Sequence, residues 1–340
     1  MQVLSWGKRL ILNPIYWPSA ASLASFIVLV ISGIALGFWY EPHPSVAYES
    51  IIYIDDYVAF GQLMLSIHHY ATDILIASTL LHLIRVFFMG TYKGRIYVWA
   101  EGSYLISRLQ RINSVKDIKE LKLSYAWISG VVLLLITVLF LFSGYLLRWD
   151  EIGYYSIQIT TSIVAYTPLI GDTLRSLILG GTEITSRSLA RFYVAHAVLL
   201  PLLYLLFLGL HYYYIKKARF YWLEVGVGCI TTGFLLLISV LNPFELAAKP
   251  SAELTVSLKP PWLFLWLYVI ERGLGYISPR LNFINILLLL SILALLFLVP
   301  YIDSGEENPQ TKRKRTVAGM ASLAFFILLS IAGYLWEAPS

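Results

Sequence analysis

Seven apolar segments, each close to 20 residues long, constrain this sequence more than any other feature. They cover residues 19–39, 63–89, 125–147, 192–215, 221–241, 281–300 and 317–336. About 20 helical residues span a hydrocarbon core that is about 30 Å thick, because an α-helix rises about 1.5 Å per residue. With a mean hydropathy of +0.72, the chain is therefore predicted to be an all-α membrane protein with about seven transmembrane helices.

Basic side chains cluster in alternate connections between these segments. Seven Lys and Arg residues lie within 93–122, and further basic residues are Lys8, Arg9, Lys216, Lys217, Arg219 and the run from Lys312 to Arg315. The connection 40–62 instead holds four acidic residues and no Lys or Arg. Because cytoplasmic loops are enriched in Lys and Arg, the N-terminus is predicted to be cytoplasmic and the C-terminus outside. The net charge of +5 then reflects topology, and a nucleic-acid partner is not indicated.

The cysteine content limits how a cofactor could be attached. Cys229 is the one cysteine of the sequence, so the chain cannot form an internal disulfide, a CxxC metal site or a CxxCH site for covalent haem. Any haem in this protein is therefore expected to be held by non-covalent contacts and axial ligands.

Two of the apolar segments each carry a pair of histidines at nearly the same spacing. His68 and His82 are 14 residues apart in the second segment, and His196 and His211 are 15 residues apart in the fourth. At about 100° and 1.5 Å per residue, a 14-residue interval returns to within about 40° of the same face and covers about 21 Å. His69 falls on roughly the opposite face from His82.

The predicted topology gives each of these histidines a depth and a partner. Both segments run from outside to inside, so His68 is expected beside His196 near the outer face. His82 is expected beside His211 near the inner face. A single histidine in a membrane helix more often serves in hydrogen bonding or a proton path, but four at matched depths favour two haem irons. Two imidazoles on one iron leave no open coordination position, which suits electron transfer.

Glycines at the same interval support this interpretation. Gly130 and Gly144 are 14 residues apart in the third segment, and Gly33 has Ser19 at that interval in the first. Glycine weakens a helix by about 1 kcal/mol relative to alanine, so matched glycines indicate the close approach of a large flat group. Ordinary packing of small residues between membrane helices is the alternative.

Two arginines lie close in sequence to the histidines. Arg85 follows His82 by about one turn, and Arg191 comes just before His196. Each is a candidate for a charge-assisted hydrogen bond to a haem propionate. The alternative is that each extends to the membrane interface.

Four stretches of the sequence resemble the cytochrome b of cytochrome bc complexes. They are SIHHYATDILIASTLLHLIRVFFMGTYKG (66–94), SGYLLRWDEIGYY (143–155), TPLIGDTL (167–174) and RFYVAHAVLLPLL (191–203). The resemblance covers the first two-thirds of the chain, and the 15-residue histidine interval is the variant of the chloroplast-type branch. The seven-helix form resembles that branch with its two halves fused.

The resemblance implies a diheme four-helix bundle in residues 1–218 and a C-terminal domain of three helices in 219–340 that completes the quinone sites. It implies two non-covalent haems, of b type or a modified A type, with quinone and quinol as further ligands. The implied activity is proton-translocating quinol oxidation at an outer site beside a Rieske iron–sulfur protein, in a homodimer within the cell membrane. One electron would leave through that partner, and the other would cross both haems to an inner quinone site.

The outer quinol site departs from the pattern of the family. Where the family has Pro-Glu-Trp-Tyr, the sequence reads Pro260-Pro261-Trp262-Leu263, so the glutamate that accepts a proton is missing. Glu253 and Glu271 are candidate substitutes; otherwise the outer site is altered or silent.

Further departures lie near both faces of the membrane. Arg148 precedes Trp149 where the family has Leu-Pro-Trp, which places a cation near the outer quinol pocket. Leu65 stands in place of a family arginine near the outer haem. Trp17 stands where the chloroplast-type protein has the cysteine of an extra haem, so no third haem is expected. The long basic loop 95–124 is expected to lie on the inner membrane surface or to dock a partner.

For the inner quinone site, the resemblance indicates Lys216, Lys217 and Glu224. A carboxylate and a cation near the membrane edge can deliver protons to a reduced quinone. The lysines also satisfy the positive-inside rule, which is the simpler explanation for them.

Other functions remain open at this point. One is a cytochrome b-like subunit of an archaeal-type quinol oxidase supercomplex, with A-type haems and with terminal oxidase subunits or a cytochrome as partners. A second is a diheme anchor that passes electrons between quinone and a peripheral dehydrogenase, although such anchors are usually shorter and lack the GYLLRWD and TPLIGDTL stretches. A transporter with incidental histidines would bind no haem.

Overall fold

The structure of the chain is a computed structural model that describes residues 17–93, 115–215, 222–251, 259–303 and 307–336. Side chains are described in these ranges except at 115–124 and 222–223. Every regular element in the described ranges is a helix. The α-helices are α1 Pro18–Gly37, α2 Ala47–Tyr57, α3 Gly61–Met89, α4 Val115–Leu147, α5 Glu151–Ala165, α6 Gly171–Leu179, α7 Ser186–Val194, α8 Leu200–Ile215, α9 Trp222–Leu241, α10 Leu265–Ile277, α11 Phe283–Ile302 and α12 Pro309–Leu335.

Within the described residues, seven helical spans are long and apolar enough to cross a membrane. They are Pro18–Gly37, Gly61–Met89, Tyr125–Leu147, Ser186–Ile215, Glu224–Leu241, Pro279–Ile302 and Pro309–Leu335. The predicted number of spans and the all-α class are therefore confirmed. Short 3₁₀ turns lie at Thr91–Lys93, Trp262–Phe264 and Pro279–Asn282, and a π-helical turn at Ala195–Leu199 joins α7 to α8.

Two spans begin earlier than hydropathy predicts, because polar capping residues start each helix. α7 begins at Ser186 rather than 192, behind a capping box between Thr185 and Ser188. α12 begins at Pro309 rather than 317, behind a capping box between Asn308 and Thr311. A capping box satisfies backbone N–H groups at the helix start without any apolar residue, so hydropathy does not detect it.

The helices α1, α3, α4 and the α7–α8 span form a four-helix bundle. α1 packs along α3, and α4 packs along α8. The centre of the bundle is a cluster of buried side chains from all four spans: Phe26, Leu75, Leu133, Ile136, Leu200 and Tyr204. The rings of Phe26 and Tyr204 stack with centroids 4.1 Å apart. In sequence, Leu75 lies midway between His68 and His82, so this apolar layer separates the two histidine levels.

A second buried cluster closes the end of the bundle that carries His68. It joins α2, α5, α6 and α7 to the end of α4 through Ala47, Leu146, Trp149, Ile157, Leu179 and Leu189. The turn from α4 into α5 is fixed by Asp150, whose fully buried carboxylate accepts a hydrogen bond of 2.8 Å from the backbone N–H of Gly153. The carboxylate is the N-cap of α5.

The stretch 242–251 crosses this end of the bundle and is held there by hydrogen bonds. Tyr70 donates its hydroxyl to the carbonyl of Asn242 at 2.8 Å, and Tyr155 donates to the carbonyl of Ser251 at 2.5 Å. The N–H of Glu151 donates to the carbonyl of Ala248 at 2.8 Å. These bonds tie the C-terminal helices to the bundle.

The C-terminal helices pack around the outside of the bundle. α9 contacts α1 and α3, α10 contacts α12, and α11 contacts α4. At the last of these contacts, the indole N–H of Trp127 donates a hydrogen bond of 2.7 Å to the carbonyl of Leu296.

A network of charges fastens α12 to the end of α3. Arg315 is 3% exposed and binds Glu307 at 2.5 Å and Asp303 at 3.2 Å. Lys93, which is 5% exposed, pairs with the same two carboxylates, and the Tyr92 hydroxyl donates to Asp303 at 2.5 Å. Arg315 belongs to the basic run from Lys312, which indicates topology through the positive-inside rule, but its guanidinium is buried in this network.

Candidate functional site

The structure brings the four intramembrane histidines together in two pairs. The ring centroids of His68 and His196 are 6.3 Å apart, and those of His82 and His211 are 6.4 Å apart. A metal–imidazole nitrogen bond is about 2 Å long, and the ring centroid lies about 1 Å beyond that nitrogen. Two imidazoles on one metal ion therefore have centroids about 6 Å apart, so both pairs have the separation that a shared axial metal requires.

The 15-residue interval between His196 and His211 is explained by the π-helical turn at Ala195–Leu199. In this turn the N–H of Leu200 bonds to the carbonyl of Ala195, five residues back. A π-turn adds one residue to an α-helix without changing the faces on either side. The 15-residue interval from His196 to His211, which contains one π-turn, therefore gives the same face and depth as the regular 14-residue interval from His68 to His82 in α3.

Three serines orient the histidine rings. The contacts between serine Oγ and histidine Nδ1 are Ser32–His68 at 2.9 Å, Ser129–His211 at 3.1 Å and Ser143–His196 at 2.8 Å. Each serine hydroxyl also donates to a carbonyl of its own helix, at 2.8, 2.9 and 2.7 Å. Because a hydroxyl has one proton, its oxygen must accept the proton of Nδ1–H. This tautomer leaves the Nε2 lone pair available for a metal.

Spacing alone did not indicate these serines, yet the sequence contains a signal for them. Each immediately precedes one of the predicted glycines, in the dipeptides Ser32-Gly33, Ser129-Gly130 and Ser143-Gly144. The serine binds the ring while the neighbouring glycine leaves room beside it.

The predicted glycines each face a histidine ring. A Cβ atom at Gly144 would lie 3.0 Å from Cε1 of His196, and one at Gly33 would lie 3.2 Å from Cε1 of His68. A Cβ atom at Gly130 would lie 3.2 Å from Cε1 of His211. A larger residue at any of these positions would press on the ring, so the glycines leave room for the histidine rings themselves.

A cavity of about 340 Å³ opens at the level of His82 and His211. Its walls come from α1, α3, α4 and α8 and include Ser19 and Gly130. The paired imidazoles, the small residues and the apolar lining are together the features that a non-covalent haem needs, and the residues present fit this group.

The structure places the two predicted arginines differently. Arg191 donates from Nη1 to the carbonyl of Leu177 at 2.9 Å and lies against Gly180, which has a φ of +77°. It therefore holds the C-terminal end of α6. Arg85 lies partly buried in α3, about one turn beyond His82.

Of the residues predicted for the outer quinol site, the stretch Pro260–Leu263 lies against α3 and α4. The indole N–H of Trp262 donates a hydrogen bond of 3.0 Å to Oδ1 of Asp73. Leu263 is buried against Ile76 and Leu141. The segment that begins at Pro260 thus lies directly against the bundle.

The other residues predicted for this site have different surroundings. Trp149 is buried, with a φ of +50°. The carboxylate of Glu271 accepts a hydrogen bond of 3.3 Å from Asn282, and burial raises the pKa of Glu271 although nearby Arg272 opposes the shift. Glu253 lies outside the described residues.

At the predicted inner quinone site, Glu224 lines the same cavity as His211 and Tyr212. Lys216 and Lys217 lie outside the described residues. The loop 95–124 is described only from Val115, where α4 begins.

Comparison with known proteins identifies the family. The sequence matches the family model for cytochrome b/b6/petB over residues 10–115 and 106–219. Cytochrome b6 of Mastigocladus laminosus is 32% identical over 205 residues, which are 60% of this chain and 83% of the relative. Cytochrome b6 of Acaryochloris marina is 33% identical over the same shares. A solved structure described as hyperthermophilic respiratory Complex III has a TM-score of 0.65 at 20% identity and covers 96% of this chain and 93% of its own.

The structural likeness shows a shared fold, while the sequence match spans more than half of the chain and includes all four paired histidines. This chain is therefore an integral, multi-pass membrane protein that belongs to the cytochrome b/b6 family, whose members carry haem and bind quinone.

Proposed function

We propose that this chain is the diheme cytochrome b subunit of a respiratory complex that oxidises quinol. The observation that carries the proposal is the pairing of the four intramembrane histidines, with ring centroids 6.3 and 6.4 Å apart. In this proposal His68 and His196 hold one haem, and His82 and His211 hold the second. When bound, the haems supply one-electron transfer between two quinone sites.

The proposal includes an orientation and partners. The positive-inside rule places the His68 pair near the outer face and the His82 pair near the inner face. A Rieske iron–sulfur protein accepts one electron at the outer site, and the complex is a homodimer that translocates protons. Residues 1–218 form the diheme unit and residues 219–340 complete the quinone sites, a division supported by a family match that ends at residue 219.

Trp149, Pro260 and Trp262 belong to the proposed outer quinol site. The contact of Trp262 with the bundle supports this assignment. At the inner site, Glu224 in the wall of the cavity is proposed to deliver protons together with Lys216 and Lys217.

Haem content tests the proposal directly. We expect the purified protein to contain two non-covalent haems per chain, measured by pyridine haemochrome spectra. These spectra also separate b-type haem from the A-type haem of a quinol oxidase supercomplex, because both types use the same histidine ligands. A preparation without haem would refute the proposal, and copurification of a Rieske protein tests the partner.

Replacement of one ligand tests the pairing. We expect His82→Ala to remove the haem of the His82–His211 pair and to leave the other, so that haem content falls from two to one per chain. His43→Ala is the matched control, because His43 is exposed and its ring bonds only to neighbouring Ser45 within the described residues. The assignment would be contradicted if His43→Ala lost both haems, or if His82→Ala lost only the haem of the His68–His196 pair.

A further inference from the structure

The Pro260–Phe264 segment positions a carboxylate that the sequence comparison with the family did not indicate. Asp73 is the one acidic residue of α3, and its Oδ1 accepts a hydrogen bond of 3.0 Å from Trp262. Trp262 immediately follows Pro261, where the family has its proton-accepting glutamate. A carboxylate on the bundle therefore lies beside the segment that lacks one.

Asp73 faces away from the proposed haem. It follows His68 by five residues, which places it about 140° around α3 from His68 and about 7 Å farther along the axis. It is partly buried. An ionisable side chain within a membrane span is costly, so its presence indicates a role in polar or proton chemistry.

The surroundings of Asp73 are polar and include one cation. On its own helix, His69 is one turn away and packs on Phe244 with ring centroids 4.7 Å apart. From α4, Tyr145 interacts electrostatically with both Asp73 and Arg148. The Arg148 guanidinium lies 4.3 Å from the centroid of the Tyr145 ring.

One oxygen of Asp73 remains available. Oδ1 receives the Trp262 hydrogen bond, whereas Oδ2 accepts no hydrogen bond from any residue that the structure describes. A carboxylate oxygen can accept further hydrogen bonds, so Oδ2 can receive a hydroxyl group of a substrate.

The other carboxylates near this end of the bundle are less suited to contact a substrate. Asp150 and Glu151 are fully buried, and Asp150 caps α5. Glu271 bonds to Asn282 and lies 3.9 Å from Arg272. Asp73 is the carboxylate that contacts the Pro260–Phe264 segment in the described residues.

We propose that Asp73 is the catalytic proton acceptor of the outer quinol site and that Trp262 is its positioning residue. The inference rests on the proposed function. When quinol is oxidised, the O–H bond of one hydroxyl breaks and its proton moves to the Asp73 carboxylate. The proton of the second hydroxyl leaves to solvent water, and the two electrons would pass one each to the acceptors of the proposed function, the iron–sulfur protein and the haem that His68 and His196 would hold.

The substitution Asp73→Asn tests proton transfer while it keeps the hydrogen bond from Trp262. The asparagine carbonyl can still accept the Trp262 hydrogen bond, but the amide cannot take up the proton. In the whole complex, we expect the rate of haem reduction by quinol to fall by about 100-fold, since general-base catalysis contributes about 10²- to 10⁴-fold. Both haems and their redox potentials should be retained. Asp73→Glu should restore part of the rate, and Asp56→Asn, at an exposed carboxylate of α2, should match the wild type.

A second readout does not depend on turnover rate. Infrared difference spectra recorded as quinol is oxidised should contain a protonated-carboxyl band in the wild type that Asp73→Asn lacks and Asp56→Asn retains. A normal rate and an unchanged band in Asp73→Asn would overturn the inference while leaving the proposed function intact. Failure of quinol to reduce the haems of the wild type would refute the proposed function, and the inference with it.

Discussion

At the scale of single residues, the serines that bind histidine Nδ1 lead to a direct prediction. Ser143→Ala removes the acceptor of the 2.8 Å bond from His196, so the ring loses its fixed tautomer and orientation. Groups that orient a metal ligand typically contribute 10- to 100-fold in metal affinity. We expect haem affinity at the His68–His196 pair to fall by about 10-fold or more, measured by haem titration of the apoprotein.

The matched control for this change is Ser291→Ala in α11. Ser291 donates to the carbonyl of Leu287 at 2.7 Å, as Ser143 does to that of Leu139 at 2.7 Å, but Ser291 is exposed. Equal haem affinity in the two variants would show that the serine acts on its helix and not on the ring.

The glycines give a steric prediction. In Gly144→Ala the new Cβ would lie 3.0 Å from Cε1 of His196, whereas a Cβ at Gly209 of α8 meets nothing within 4 Å among the described residues. We expect Gly144→Ala to displace the ring and to lower the occupancy of that haem, and Gly209→Ala to keep two haems per chain. Visible spectra of the purified variants measure this, and full haem content in Gly144→Ala would contradict the predicted role of the glycine.

At the scale of elements, the π-turn predicts that two single-residue deletions have opposite outcomes. Deletion of Val198 shortens the π-turn to a regular α-turn and leaves His196 and His211 on one face at 14 residues. Deletion of Leu206 within regular α8 retains the π-turn and rotates His211 by about 100°. We expect two haems per chain after the first deletion and one after the second. One haem in both proteins would indicate that the π-turn does not set the register.

The π-turn at Ala195–Leu199 also separates features that the sequence predicts from features that it does not. Hydropathy predicted seven spans, because a span depends on membrane thickness. Helical periodicity together with the alternation of basic loops predicted the partner of each histidine, because these fix the face and the depth of each ring. Spacing did not predict the π-turn at Ala195–Leu199, since a widened turn leaves no hydrophobic pattern. It also did not predict Asp73 beside Trp262, because that contact joins residues 189 positions apart and depends on the path of the chain across the bundle.

At the scale of the whole molecule, the charge network at the end of α3 joins the bundle to the C-terminal helix. Lys93 follows α3, Asp303 follows α11, and Glu307 and Arg315 flank the start of α12. The positive-inside rule accounts for these basic residues as signals of topology alone, but three separate elements meet at this network. Removal of the network should therefore loosen the attachment of α12 and leave the packing of the four-helix bundle unchanged.

This leads to a prediction with a defined pH dependence. The hydrogen bond from Arg315 lowers the pKa of Glu307 from its ordinary value of 4.5 to about 2, against the opposing effect of burial. A carboxyl whose pKa is depressed by folding stabilises the folded state above pH 4.5, and this contribution is lost as the pH falls toward about 2.

We expect Glu307→Gln to lower the melting temperature at pH 7 relative to the wild type, because Lys93 and Arg315 are buried and each loses a partner. The difference between the two proteins should shrink as the pH is lowered from 4.5 toward 2. Glu183→Gln, at an exposed carboxylate, should melt like the wild type throughout, and a Glu307→Gln deficit that is independent of pH would show that shape and not charge holds α12 in place.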